Sequence, residues 1–200
     1  MDTNKELRLD RAGRLVTDHA MCWVRYLQSP IEQVWQTVST KKGLAKWWIV
    51  PPKVFDLRVG GLFSHHWDNR INSYKELSYI DLDEPRGSYR DTGGMRFELA
   101  ARGNDGTTFM FLSTFGPDVL ASEAANGMPT KFDQQHAGPG TIWPSVAAGW
   151  HGMVDQLERL FSNEVPSYSD EELCDFYLSY LEDQFRLLNM VQRVLEDDSG

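Results

Sequence analysis

Residues 141–161 constrain the fold more than any other part of the chain. Their apolar residues recur at the spacing of one helix face: Val146, Trp150, Met153, Val154, Leu157, Leu160 and Phe161. At about 100° per residue they form a stripe roughly 120° wide, which predicts a helix with one buried side. Gly149 and Gly152 interrupt this helix, and each costs about 1 kcal/mol relative to alanine. We therefore expect another part of the chain to press against its backbone, as when a helix lies across a curved sheet and encloses a cavity.

Composition limits the classes of function. The net charge of −9 argues against nucleic acid and anionic membrane surfaces as partners, because both require clustered Lys and Arg. No stretch approaches the roughly 18 apolar residues of a membrane span, and the first residues lack the apolar segment of a signal peptide. Cys22 and Cys174 allow a disulfide, but two reduced thiols are expected in a cytoplasmic protein. We predict a cytoplasmic protein.

The first part of the chain predicts an extension, a strand and two helices. Residues 1–16 are polar and predict a loosely held extension, and residues 17–27 predict a strand. Ser29 and Glu32 have the spacing of a capping box around Pro30, with the following helix burying Ile31, Val34, Trp35 and Val38. A second short helix ends at Trp47 and Trp48.

A series of antiparallel strands follows. Residues 53–59 and 62–67 flank a Gly60-Gly61 hairpin turn, and residues 95–102 and 107–115 flank an Asn104-Asp105-Gly106 turn. Strands are also predicted near 74–82 and 87–92, and residues 116–140 predict an insertion. Consecutive strands with segregated helices predict an α+β fold, its sheet curled around the helix.

A last long helix is predicted over residues 170–195. Ser169 and Glu172 have the spacing of a capping box at its start. Its apolar face is broader than a simple stripe, which is typical of a helix with two neighbours: its own domain and either a partner or a second copy of the chain. We therefore expect a homodimer.

Four segments together resemble a known family. SPIEQVWQTVST, the GLAKWW turn, the FDLRVGG hairpin and the closing AGWHGMVDQLERLF resemble bacterial relatives of the C-terminal domain of heat-shock-protein ATPase activators, within the START-like, or birch-pollen-allergen-like, superfamily. This resemblance implies a helix-grip fold: an antiparallel sheet wrapped around a long helix and enclosing an apolar cavity. It divides the chain into an extension (1–16), a ligand-binding domain (17–162) and a helical appendage (163–200). It implies a cavity and no particular reaction.

Large side chains on the predicted strands and helices are the candidate cavity walls. They are Trp47, Trp48, Phe63, His65, Trp67, Phe97, Leu99, Phe109, Phe111, Trp143, Trp150 and Met153. A strand register wrong by one residue would exchange the two faces. For each of Trp47 and Trp48 alone, core packing is the favoured alternative to ligand contact.

Histidines give little support for catalysis or for a metal. In the run from His65 to Asp68, alternate residues point to opposite faces, so two ligands at most converge and no metal site is predicted. His151 lies about 100° from Trp150, which predicts a rim or solvent-facing side chain. Only Glu158 is a candidate carboxylate partner for His151 on that helix face. The glycine pairs are turn residues rather than phosphate loops, and we expect no cofactor.

Three hypotheses follow from the sequence. The leading one is binding of an apolar or amphipathic small molecule between sheet and helix. An alternative is a cyclase- or hydrolase-type enzyme that uses His65 or a nearby carboxylate as acid or base. A third is an interaction module whose C-terminal helix binds a partner or a second copy of the chain.

Overall fold

An antiparallel sheet and a long helix packed across it organise the fold, seen in a computed structural model that describes residues 10–17, 20–65, 68–83, 94–114, 144–163 and 165–197. The strands within these ranges are β1 (Arg14–Thr17), β2 (Ala20–Leu27), β3 (Val54–Phe55), β4 (Leu62–Ser64), β5 (Asp68–Lys75), β6 (Tyr79–Asp83), β7 (Gly94–Arg102) and β8 (Gly106–Thr114). The helices are α1 (Ile31–Val38), α2 (Lys41–Leu44), α3 (Pro144–Arg159) and α4 (Asp170–Asp197). The predicted α+β fold is confirmed.

The sheet runs in the order β1-β2-β8-β7-β6-β5-β4-β3, with antiparallel neighbours throughout. Side chains alternate along each strand, so one face of β7 and β8 is buried and the other is partly open. Phe97 pairs with Phe111 and Leu99 pairs with Phe109 across these two strands, and all four are buried. The predicted faces of both strands are therefore correct.

Helix α3 lies between the sheet and α4, and it contacts both. Trp150, Met153, Val154 and Leu157 are buried, as the apolar stripe predicts. Leu160, also placed in the stripe, is 42% exposed and lies beyond the end of the helix. Leu173, Tyr177 and Leu181 of α4 are buried as well. The curved sheet and its long helix form the helix-grip arrangement. No helix among the described residues has both the length and the apolarity needed to cross a membrane.

The two predicted capping boxes have opposite outcomes. At α4, the Ser169 N–H donates to Glu172 Oε2 (2.6 Å) and the Glu172 N–H donates to Ser169 Oγ (3.1 Å), so this box is confirmed. At α1, the predicted box is wrong. Pro30 itself is the N-cap, with an extended ψ of 148°, and no side chain caps the helix. The Ser29 hydroxyl bonds Gln33 Oε1 instead (3.0 Å).

Several strand predictions are wrong at their ends. The strand predicted over residues 53–59 is only Val54–Phe55, and the one predicted over residues 17–27 begins at Ala20. The strand predicted over residues 74–82 spans a turn between β5 and β6, where Leu77 has a φ of 54°. That left-handed conformation favours Gly or Asn, so an ordinary leucine gave no turn signal. The strand predicted over residues 62–67 ends at Ser64. The predicted strand 87–92 and insertion 116–140 lie outside the described residues.

The predicted looseness of residues 1–16 is wrong for their described part. Arg14–Thr17 form β1, which pairs with β2. Ala12 is buried, and the Gly13 N–H donates to the Tyr177 hydroxyl oxygen on α4 (2.8 Å). We call residues 10–13 the N-terminal strap, because they cross α3 and reach α4. Cys22 and Cys174 are not joined by a disulfide. The division of the chain at residue 162 stays a prediction.

Candidate functional site

A pocket of ≈ 320 Å³ opens between the N-terminal half of α3 and the turn after α2. We call it the indole pocket, because two tryptophans form part of its wall. It is lined by Trp48, Ile49, Val50, His65, Ser145, Val146, Gly149 and Trp150. Trp48 is placed by the turn that continues α2, in which its N–H donates to the Leu44 carbonyl (2.9 Å).

The wall of the indole pocket is apolar and carries no formal charge on any described lining residue, with His65 counted as neutral. Apart from the two indole N–H groups, His65 and Ser145 are its polar members. Ile49 and Val50 are exposed beside each other at the rim. Adjacent exposed aliphatic side chains beside a concave apolar wall are typical of a ligand site.

Gly149 keeps the α3 side of the pocket open. The residue is exposed, and a Cβ built there would meet only the Ile49 Cδ1 atom, at 3.9 Å. Gly152 instead faces α4, where a Cβ would lie 3.9 Å from Leu173 Cδ1. The helix glycines therefore border two different features, the pocket and the last helix. Neither position is too crowded for a methyl group, so the expected close approach of another segment to the helix backbone is wrong.

Three predicted wall residues line the pocket: Trp48, His65 and Trp150. Seven others are buried in the core away from it: Trp47, Phe63, Phe97, Leu99, Phe109, Phe111 and Met153. Trp67 and Trp143 lie outside the described residues. Ile49, Val50, Ser145 and Val146 were missed as wall residues, because small or aliphatic residues at a turn and a helix start have no distinctive sequence signal. Gly149 was conspicuous in the sequence as a helix glycine, and it also lines the pocket. Ligand contact by any of these residues stays a prediction.

Aromatic side chains fill most of the space between the sheet and α3. The Trp47 ring packs against Phe97 and Phe109 with centroid distances of 5.9 Å each. Its Nε1–H donates to the Thr37 carbonyl (3.3 Å). Trp48 lies 5.6 Å from Phe97 and 5.7 Å from Trp150. The indole pocket is thus the space left at the edge of this aromatic core.

His65 is held in place within the pocket wall. It is 3% exposed, and its Nε2 atom lies 3.2 Å from Asn69 Oδ1. Because an amide oxygen only accepts, Nε2 carries the proton in this pair. The ring also packs against Phe63 (4.8 Å) and Trp48 (5.5 Å). The imidazole therefore has a fixed orientation between aromatic neighbours.

A second group of polar residues is buried on the opposite side of α3. We call it the polar cluster; its members are Arg11, Arg25, His151, Asp155, Glu158 and Tyr177. Arg25 donates from Nε (3.0 Å) and Nη2 (2.8 Å) to Asp155 Oδ1. Arg11 donates to Asp155 Oδ1 (2.8 Å) and to Glu158. Two guanidinium groups thus face two carboxylates, so the ion pairs balance in charge.

Hydrogen bonding fixes the protonation of His151. The Tyr177 oxygen accepts from the Gly13 N–H (2.8 Å) and from Trp23 Nε1–H (3.0 Å), which occupies both of its lone pairs. Its own proton therefore goes to His151 Nδ1, 2.8 Å away. His151 is then neutral, with its proton on Nε2. That atom faces Asp155 Oδ2 at 3.3 Å.

The pKa directions agree with this assignment. Burial lowers the pKa of His151, although Asp155 opposes the shift. The pKa of Asp155 is lowered well below its usual range: burial opposes this, but His151, Arg25 and Arg11 together outweigh it. Burial raises the pKa of Tyr177, so its hydroxyl stays protonated. At neutral pH the cluster holds a neutral imidazole and an ionised Asp155.

The prediction for His151 is wrong. The side chain is 0% exposed, because α4 and β2 cover the polar side of α3. Asp155 was missed as its carboxylate neighbour, although it lies one turn away on the same helix face. His151 and Tyr177 are both closed to solvent, so a substrate cannot reach these two side chains. Within the described residues, no three His, Cys, Asp or Glu side chains form a metal-binding group.

The fold and the site define a helix-grip protein with a small apolar pocket. Residues 28–162 match the family model for activator of Hsp90 ATPase homolog 1-like protein. This match covers more than half of the chain, so the chain belongs to that family. The predicted family is confirmed.

Solved structures share this fold at low sequence identity. The conserved protein of unknown function EF2215 from Enterococcus faecalis is 15% identical with a TM-score of 0.60, covering 86% of this chain and 91% of its own. The crystal structure of CalU16 from Micromonospora echinospora is 16% identical with a TM-score of 0.57, covering 86% of this chain and 94% of its own. A search of curated proteins found no significant match. These likenesses concern the fold alone.

Proposed function

We propose that the protein binds a compact, uncharged, apolar or amphipathic small molecule in the indole pocket. The observation that carries this proposal is the half-open pocket of ≈ 320 Å³ with its uncharged, largely apolar wall. The volume lies at the lower end of the range of about 300–1,000 Å³ typical of ligand pockets. Most of the space between the sheet and α3 is occupied by aromatic rings, which argues for a compact ligand rather than a long lipid chain.

The lining also supports a preference for neutral ligands. A charged ligand group would leave water without meeting an opposite charge among the described lining residues, which is costly. His65 and Ser145 offer polar contacts at one end, whereas Trp48 and Trp150 offer aromatic surface. We therefore expect an uncharged molecule with a ring system and at least one polar group.

Fluorescence titration tests this function. The neutral probe N-phenyl-1-naphthylamine is expected to bind saturably with enhanced emission, and its anionic relative 8-anilinonaphthalene-1-sulfonate is expected to bind more weakly. Gly149→Leu places four carbons in the pocket and should weaken binding of the neutral probe at least tenfold. Gln156→Leu adds the same side chain at an exposed position of α3 and should leave binding unchanged. Absence of saturable binding, or equal affinity in Gly149→Leu, would contradict the proposal.

The enzyme hypothesis has one observation in its favour, the fixed His65 in the pocket wall. Acid–base catalysis usually pairs such a histidine with another polar group that faces the same substrate. The described lining residues include no carboxylate. Binding without turnover is therefore the function that the pocket supports better.

The interaction hypothesis rests on the second half of α4. Leu187 is 55% exposed, beyond the buried Leu173, Tyr177 and Leu181. We propose that a second copy of the chain covers this face. Leu187→Lys should lower the mass measured by light scattering from that of a dimer to that of a monomer. A monomeric wild-type protein at the same concentration would exclude the proposed dimer.

A further inference from the structure

The Tyr177 hydroxyl joins three separate parts of the fold. It bonds the N-terminal strap through the Gly13 N–H, β2 through Trp23 Nε1–H, and α3 through His151 Nδ1. Every acceptor and donor site of this hydroxyl is used. The arrangement is closed to solvent, since His151 and Tyr177 are 0% exposed. No bulk water is therefore available to replace a lost bond.

We propose that His151 is a proton-operated latch: a proton taken up at its Nδ1 atom releases α4 and the N-terminal strap from α3. This device is separate from ligand binding in the indole pocket and does not depend on it. The neutral imidazole is the closed state, in which Nδ1 accepts the Tyr177 proton. The imidazolium is the open state, because its Nδ1–H is a donor that faces another donor.

The conflict in the protonated state follows from counting hydrogen bonds. Protonated Nδ1 needs an acceptor, but the lone pairs of the Tyr177 oxygen are already taken by Gly13 and Trp23. If Tyr177 accepts from Nδ1, one of those two N–H groups loses its partner in a buried site. A buried donor without a hydrogen-bond partner destabilises the closed state by its full desolvation penalty. Movement of α4 or of the strap admits water and removes the conflict.

Charged groups on every side of His151 determine its response to pH. Asp155, on the same helix, favours the imidazolium, because its Oδ2 lies 3.3 Å from His151 Nε2. Arg25 on β2 and Arg11 in the strap disfavour a third positive charge. Glu158 is bound by the same two arginines.

Among the described residues just before α4, an uncharged side chain faces His151. Tyr168 meets the imidazole with a T-shaped ring contact at 6.2 Å, and Tyr177 keeps its proton. Asp155 stays ionised at mildly acidic pH, because its pKa is lowered. Within the polar cluster, His151 is therefore the group whose ordinary pKa, about 6.5, lies within the range of mild acidification.

The direction of the effect follows from proton linkage. The closed state lowers the pKa of His151, so the open state binds a proton more readily. Lowering the pH below about 6.5 therefore shifts the equilibrium toward the open state. Because one proton is involved, the opening constant rises at most tenfold per pH unit. At pH 7.5 and above, the latch is closed and the opening constant is independent of pH.

Amide hydrogen exchange between pH 7.5 and 5.0, corrected for intrinsic exchange rates, tests the latch. In the wild-type protein, protection of residues 173–181 and of Gly13 should fall with pH, approaching tenfold per unit. Protection of β7 and β8 should persist, which separates local release from global unfolding. His151→Asn places a non-titrating acceptor near the position of Nδ1, and its protection should not vary with pH. His65→Gln replaces another buried histidine and should keep the wild-type slope.

Three results would overturn the proposal. They are a flat wild-type profile, the same slope in His151→Asn as in the wild type, and loss of the slope in His65→Gln. If His151→Asn does not fold, the nitrogen chemical shifts of His151 in the wild-type protein test the proposal, because they report the protonation state of each ring nitrogen. Nδ1 should lack a proton at pH 7.5, where the latch is closed. A proton on Nδ1 at pH 7.5 contradicts the latch.

Discussion

Replacement of Arg25 by methionine tests the energetic role of the polar cluster. The Arg25 side chain is 2% exposed and lies 2.8 Å from Asp155. Methionine has a similar length but no charge, so Asp155 and Glu158 are left with Arg11 alone. Breaking a buried ion pair by removing one partner costs about 3–5 kcal/mol, because the other charge stays buried without compensation. We expect Arg25→Met to lose about 4 kcal/mol of the free energy of unfolding.

Urea denaturation measures this loss. With an m value of about 2.5 kcal/mol/M, a loss of about 4 kcal/mol lowers the urea midpoint by about 1.6 M. Adding Asp155→Asn to Arg25→Met should recover part of the loss, because it removes the uncompensated negative charge. Near-UV circular dichroism and tryptophan fluorescence should give the same midpoint if unfolding is two-state.

The Arg58–Asp56 pair provides a matched control. Its nitrogen–oxygen distance is 2.6 Å, but the two side chains are 76% and 42% exposed. Exposed ion pairs contribute about 0–1 kcal/mol, so Arg58→Met should barely shift the midpoint. The comparison separates the effect of burial on stability from the effect of distance, since the exposed ion pair has the shorter nitrogen–oxygen distance. Equal effects of Arg25→Met and Arg58→Met would refute the reasoning.

Two glycine substitutions should have opposite effects in thermal unfolding. Gly152→Ala should raise the melting temperature, since alanine improves the helix propensity by up to about 1 kcal/mol. The added Cβ would lie 3.9 Å from Leu173 Cδ1, an ordinary contact distance. A lower melting temperature would contradict this prediction. Gly13→Ala should lower the melting temperature, because a Cβ at this position would lie 2.4 Å from Trp23 Cε2 and overpacking costs about 1–3 kcal/mol. An unchanged melting temperature would contradict this and would show that the strap moves freely.

Local sequence patterns predicted much of the fold. The two capping boxes show one case in which such a pattern succeeds and one in which it fails. Both begin with serine and have glutamate three residues later. The box at Ser169 forms, whereas at Ser29 the intervening Pro30 takes an extended conformation and becomes the N-cap itself. The helix then starts one residue late, and Glu32 is out of phase with Ser29. The serine–glutamate spacing fits a capping box in both cases, and the backbone conformation determines whether the box forms.

The site could be predicted only in part, because segments distant in the sequence cover the polar side of α3. The periodicity of α3 identifies the side that faces the sheet, but its polar side gives no indication of a cover. Arg25 and Tyr177 lie far from His151 in the sequence and bury it from two directions. The pocket shows the same limit: the sequence located Trp48, His65 and Trp150, but the remaining wall depends on how a turn meets the start of α3.

The hydrogen bond from Gly13 to Tyr177 has a practical consequence for the boundaries of the folding unit. The family match spans residues 28–162, a segment that contains His151, Asp155 and Glu158. Their partners in the strap, β2 and α4 all lie outside it. A protein shortened to the matched segment would carry two acidic side chains and an imidazole on an uncovered helix face. Segments on either side of the family domain are therefore part of its interior, and recombinant versions should retain both.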